Sequence, residues 1–327
     1  MPGIFEALPG MDVPVSSISR GLAQMWAGEA TAGKPAPDSD HAKATQVNFV
    51  LHLGLNTDAE DAVRQFDIAV KFSKKHPSRV VVLCPLKSDE GIADMRAKVY
   101  GECSIGKTKD DTRCCEFVML SYPRSARSHM ESQVSICLST DLPLYYWAHR
   151  FSQAAKLGDY QYLLKTARRV LIDTATSPPD TETFQWPKPE NVRDLAFARL
   201  LPVRQSIGQF LSKYPAAAIA ANLTGVELRH GSALAAEGKA LLAWAGKRLA
   251  ACGAKDVARK LTADPALGEK ALALAFTYSG AKQFRWEADL AASQSHFEAD
   301  YGAGKLTVPA TVSLMAPENA LGEAMFF

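Results

Sequence analysis

No stretch of this chain approaches the ~18 uninterrupted apolar residues that a membrane-spanning helix needs. There is also no basic start leading into an apolar block, so no secretory signal is expected. Charge of one sign is not in excess: 37 Lys and Arg against 35 Asp and Glu leave a formal +2 over 327 residues. That gives no basic field of the kind nucleic-acid binders use. The seven histidines are scattered, with none paired at i+4 on a helix, and no His/Asp/Ser grouping makes a triad. No Cys or His spacing suits a metal, and no cofactor is implied. With 47% apolar and 22% charged residues, the expectation is a globular, cytoplasmic protein of two domains.

The N-terminal residues 1–44 read as an arm. Ile18, Leu22, Met25 and Trp26 fall at helical spacing after Ser17, and residues 30–44 have linker composition. Such an arm docks either on its own domain or on a partner, and the former is favoured. Residues 45–215 then predict a mixed-sheet α/β domain. Strand 47–53, a helix opened by Thr57 and Glu60 as a capping box, and the apolar strand 80–83 form a β-α-β unit. A strand pair, 95–103 and 114–122, is followed by a helix over 126–139, a strand at 144–147, a short helix near 160–164 and a strand at 169–172. Residues 177–189, with several prolines, read as an exposed loop.

A helix is predicted over 191–214, with Pro202 inside it. An internal proline costs about 3 kcal/mol unless the helix kinks or restarts, so two abutting helices are expected there. Residues 216–327 predict a smaller α+β domain, an antiparallel meander plus one long helix over 232–252. Its strands are placed at 223–228, 271–278, 283–290, 295–301 and 306–314.

Gly101-Glu-Cys-Ser-Ile-Gly106-Lys107-Thr108 satisfies the phosphate-loop pattern letter for letter. If it worked as one, Gly106, Lys107 and Thr108 would hold phosphates and magnesium. A true phosphate loop needs a helix beginning at the Lys, whereas here Lys-Thr-Lys-Asp-Asp-Thr-Arg leads into a second strand. A hairpin turn fits better. Six cysteines are present. Cys114 and Cys115 adjoin and point to opposite faces of a strand, and Cys103 can face them across the strand pair. The alternatives are a regulatory disulfide from Cys103 to one of the two, or small buried apolar side chains. The latter is the expectation.

The stretch 141–209 carries most of what packing does not explain. Arg199 and Arg204 lie on an amphipathic helix, where Arg usually needs a carboxylate or phosphate. An acid such as Asp173 or Asp194 is the internal candidate. Trp147 ends a strand as core or as an aromatic anchor. The order of segments here resembles the OpcA family, the glucose-6-phosphate dehydrogenase assembly proteins. The matching pieces are Ser16-Ser-Ile-Ser-Arg-Gly-Leu22, Asn48-Phe-Val-Leu51, His76-Pro-Ser-Arg-Val-Val-Val82, Cys114-Cys-Glu116, Asp141-Leu-Pro-Leu-Tyr-Tyr-Trp147, Arg169-Val-Leu-Ile-Asp173, Asp194 through Arg204, and Ala240 through Leu249. Val203 departs from the Trp expected after the helix proline, and Phe197 replaces another aromatic.

The resemblance implies a protein that is not an enzyme. It would bind glucose-6-phosphate dehydrogenase as an assembly factor and allosteric activator in the oxidative pentose phosphate pathway, with no nucleic-acid or membrane partner. Trp26, Trp147, Arg199 and Arg204 are the candidate contacts. Cys103, Cys114 and Cys115 are the candidate redox residues. Nucleotide binding through Gly106, Lys107 and Thr108 is the alternative function.

Overall fold

The computed structural model describes residues 3–33, 36, 45–87, 94–105 and 112–327. The chain divides into two compact units, Met1–Asp194 with Leu321–Phe327, and Leu195–Ala320. The mixed α/β class expected from the sequence is what is seen.

Unit 1 is built on an eight-stranded sheet. Its strands are β1 (Met11–Val13), β2 (Val47–Leu53), β3 (Ser78–Pro85), β4 (Arg96–Ile105), β5 (Thr112–Tyr122), β6 (Leu144–His149), β7 (Arg169–Ile172) and β8 (Val192–Asp194). The order across the sheet is β1-β4-β5-β3-β2-β6-β7-β8. Pairs from β5 through β8 are parallel, while β1 with β4 and β4 with β5 are antiparallel. Every residue of β2 is buried, because helices cover both faces of a parallel sheet and polar alternation has no solvent side to serve. Val50 lies in the core on one face with Val81, Val118 and Tyr146. On the other, Phe49 stacks on Trp147 at 6.3 Å and meets Phe72 edge-on at 5.9 Å.

Helix α3 (Ala59–Lys75) connects β2 to β3. Its cap is Asp58, not Thr57 as the capping-box spacing suggested. The Asp58 carboxylate accepts from Asp61 N at 2.8 Å, and its carbonyl accepts the first helical bond, from Ala62 N. A cap must be the residue whose carbonyl starts the helix, which puts Thr57 one place too early.

Residues 3–31 form α1 (Ile4–Ala7), β1, a 3₁₀ turn (Val15–Ser17) and α2 (Ile18–Thr31), all part of unit 1. β1 pairs with β4. The buried Lys98 on β4 donates to the carbonyls of Phe5 and Leu8 at 2.8 and 3.0 Å. The indole of Trp26 on α2 donates to Glu116 at 2.9 Å. The expected linker lies mostly outside the described residues.

Unit 2 holds a six-stranded sheet of β9 (Leu223–His230), β10 (Ala258–Ala263), β11 (Ala271–Tyr278), β12 (Gln283–Asp289), β13 (Gln294–Asp300) and β14 (Leu306–Thr311), in the order β10-β9-β11-β12-β13-β14. The meander from β11 to β14 is antiparallel as expected. A short helix, α8 (Ala216–Ala220), precedes β9. The correction is β10, which runs parallel to β9 after the long helix α9 (Ala235–Ala251). Its burial pattern is almost wholly exposed, so it lacks the apolar signature by which a strand is found.

Residues 191–194 are a 3₁₀ end and β8, not the start of a helix. Two short helices follow, α6 (Leu195–Ala198) and α7 (Leu201–Leu211), with Pro202 in the first turn of α7. Proline costs little there, since that N–H has no helical partner. The sequence placed this segment in the first domain. Leu200, Val203, Ile207 and Phe210 instead pack in the core of unit 2 with Leu241, Phe284 and Phe297. The expected helix over 126–139 is likewise a 3₁₀ segment (Arg124–His129) and α4 (Met130–Cys137), and the short helix expected near 160–164 is α5 (Gln161–Thr166).

Candidate functional site

β2 sits between β3 and β6, and the chain leaves it in one direction through α3 and reaches its other neighbour much later. Its carboxyl end is therefore a topological switch point, where open α/β sheets form crevices. Gly54 just beyond β2 approaches β6 closely, and its N–H donates to His149 O at 2.7 Å. A Cβ there would fall 2.6 Å from that same oxygen, so only glycine fits. Arg150 follows in the left-handed region, at φ 47°.

Asp61, in the first turn of α3, is the hub of this end. His149 Nε2 lies 2.7 Å and Arg150 Nε 2.9 Å from its Oδ2, and Gln65 donates to Oδ1 at 2.9 Å. Burial pushes the Asp61 carboxyl up. Hydrogen bonds from His149 and Gln65, with the charges of His149 and Arg150, outweigh that and hold it at about 2. Both oxygens are engaged, and a carboxylate with so low a proton affinity makes a poor general base. What it does is join the first turn of α3 to the end of β6.

On the opposite face of β2, His52 is enclosed. Its Nδ1 lies 2.9 Å from the Tyr146 hydroxyl and its Nε2 3.0 Å from that of Tyr122, which in turn contacts Tyr160 at 2.8 Å. Phe151 and Tyr160 pack edge-on to its ring. Burial, helped by the positive charge of Arg127, drives the His52 imidazole down to about 3. Burial likewise raises the Tyr122 and Tyr146 hydroxyls far above their ordinary range. At neutral pH all four groups are uncharged, and the set is a hydrogen-bonded chain of buried side chains.

Sequence reasoning missed both clusters. Asp61 and His149 are separated by 88 positions, and nothing in local spacing pairs them. The available signal was polar residues sitting directly at the carboxyl end of an apolar strand.

The residues singled out from the sequence are dispersed. Trp147 and Trp26 are 3% and 7% exposed, within unit 1. Glu116, which accepts from Trp26, also pairs with Arg79 at 2.5 Å. Cys103 on β4 and Cys114 on β5 stand opposite each other and are joined by a disulfide, with Cα atoms 4.0 Å apart. The expectation of plain buried thiols gives way there, because the register places the two directly across the ladder. Cys115 is free and buried, and desolvation pushes its thiol up to about 12, which makes it a poor nucleophile.

In unit 2, Arg199 Nε donates to the buried Glu237 at 2.6 Å. That carboxylate is carried by α9. The Arg204 guanidinium lies 3.8 Å from the ring centroid of Phe197, a cation–π contact beside a ring that is 37% exposed. Gly106, Lys107 and Thr108 lie outside the described residues. The strands on either side run antiparallel, Ile105 opposite Thr112, as a hairpin requires. Among the described residues, no group of three or more His, Cys, Asp or Glu is placed to hold a metal, and no helix is long and apolar enough to cross a membrane.

Residues 69–201 match the family model described as the glucose-6-phosphate dehydrogenase subunit N-terminal domain, the OpcA assembly family. The matched stretch runs from within α3 through the sheet to the start of α7. It bears out the resemblance drawn from the ordered segments of the sequence. No curated protein matches the chain.

Proposed function

We propose that this chain, which carries the OpcA-family domain over residues 69–201, binds glucose-6-phosphate dehydrogenase and promotes its active assembly without catalysing a reaction itself. The family match is the observation that carries this reading. The site chemistry is consistent with it: Asp61, His52 and Glu237 are all engaged in buried contacts that hold elements together.

Within unit 2 the contact is assigned to Phe197 and Arg204. An exposed aromatic ring under a guanidinium is the composition of an interface anchor, and Arg199 is held behind it by Glu237. Trp26 and Trp147 support the fold of unit 1 from inside. The Cys103–Cys114 disulfide is assigned a redox role, clamping the β4–β5 pair when oxidised.

The test is a pull-down and activity assay of the full chain with the dehydrogenase of the same organism. A stable complex and a changed substrate affinity or oligomeric state of the enzyme are expected. Phe197→Asp is expected to weaken the complex by roughly tenfold or more, and reductant is expected to alter it. Absence of both binding and kinetic effect would discard the proposal.

A further inference from the structure

A cavity of about 620 Å³ opens in unit 1 beside the start of α2 and α4. Its polar lining consists of Ser16, Ser17, Ser19, Arg20, Arg79 and Gln133, and none of its lining residues is acidic. Arg20 is exposed and makes no ion pair or hydrogen bond among the described residues. Ser17 precedes α2 without making a capping bond, so its hydroxyl remains available. Arg79 reaches Glu116 through Nη2, yet its Nε–H is buried with no acceptor. A buried guanidinium donor left unmet is costly, and the Arg79 side chain lines this cavity.

We infer that this cavity binds the phosphate group of a small phosphorylated metabolite. Two guanidinium groups and three hydroxyls offer more donors than the two oxygens of a carboxylate can accept. A phosphate monoester presents three terminal oxygens and close to two negative charges, which match them. Leu22, Val118 and Ile136 wall the remaining space, which takes the body of the molecule. The arrangement draws on side chains from the N-terminal segment, β3 and α4, so it exists only when that segment is docked. The inference stands independently of dehydrogenase binding.

Calorimetric titration of the full chain at constant ionic strength tests it, using inorganic phosphate and glycerol 3-phosphate as probes and acetate as the carboxylate control. Both phosphates are expected to bind, and acetate at least tenfold more weakly. Arg20→Gln is expected to weaken phosphate binding by roughly tenfold while leaving the melting temperature without phosphate unchanged. Arg79→Lys, which keeps a cation beside Glu116 but lacks the planar fork of guanidinium donors, is expected to weaken it as well. No heat with either phosphate overturns the inference. So does equal affinity for acetate, or wild-type affinity in both variants.

Discussion

Single side chains in this protein act mainly by being buried with a partner. Arg199 and Glu237 are one such pair, and the Glu237 carboxylate is nearly inaccessible. Removing the cation leaves a buried charge uncompensated, which costs about 3–5 kcal/mol. Arg199→Ala is therefore expected to lower stability by about 3 kcal/mol in urea denaturation, and adding Glu237→Gln to recover much of it.

His52 gives a pH dependence of definite sign. Burial holds its folded pKa at about 3 against 6.5 for an ordinary imidazole, so below pH 6.5 the unfolded chain takes up a proton that the folded one refuses. Stability is complete above 6.5 and declines as pH falls toward 3, by up to about 5 kcal/mol from this group alone. Denaturation midpoints measured from pH 7 to 4 should fall less steeply for His52→Gln than for the parent chain.

Among the elements, α2 depends on one glycine. A Cβ at Gly101 of β4 would lie 2.6 Å from Cζ2 of Trp26, closer than real packing allows. Gly101→Val is expected to push α2 off the sheet while β4 keeps its ladder, since valine suits a strand. A red-shifted tryptophan emission and faster proteolysis ahead of residue 34 would show it; unchanged spectra and protection would refute the arrangement. The helix pair α6 and α7 illustrates a different limit. Pro202 announced the break correctly, because its missing N–H is a local property. Which core α7 enters is a long-range matter, decided by the match of Val203, Ile207 and Phe210 to Phe284 and Phe297.

For the molecule as a whole, unit 1 is completed by residues from both ends of the chain. Phe326 packs against Phe72, His76 and Tyr145, and Leu321 and Met325 are buried. Ending the chain after Ala320 is expected to cost at least about 3 kcal/mol and to lower the melting temperature measurably, even though the deleted residues lie far along the chain from the partners they pack on. A truncated protein as stable as the full chain would show that this segment contributes no packing.

The sequence by itself determined the β-α-β start, the buried parallel strands, the restart at Pro202, the β11–β14 meander and the resemblance to the family whose model matches 69–201, because each is carried by local periodicity, turn chemistry or the order of segments. Only the tertiary structure decided that Asp61 meets His149 and Arg150, that Arg199 meets Glu237, and that Cys103 faces Cys114. It also decided that the N-terminal segment joins β4 and that α7 belongs with unit 2. Such pairings are set by which strands lie side by side and in what register, and their energy comes from burial shared between residues far apart in the chain. Local composition carries no record of that, as the exposed strand β10 and the separated halves of the Asp61 cluster show.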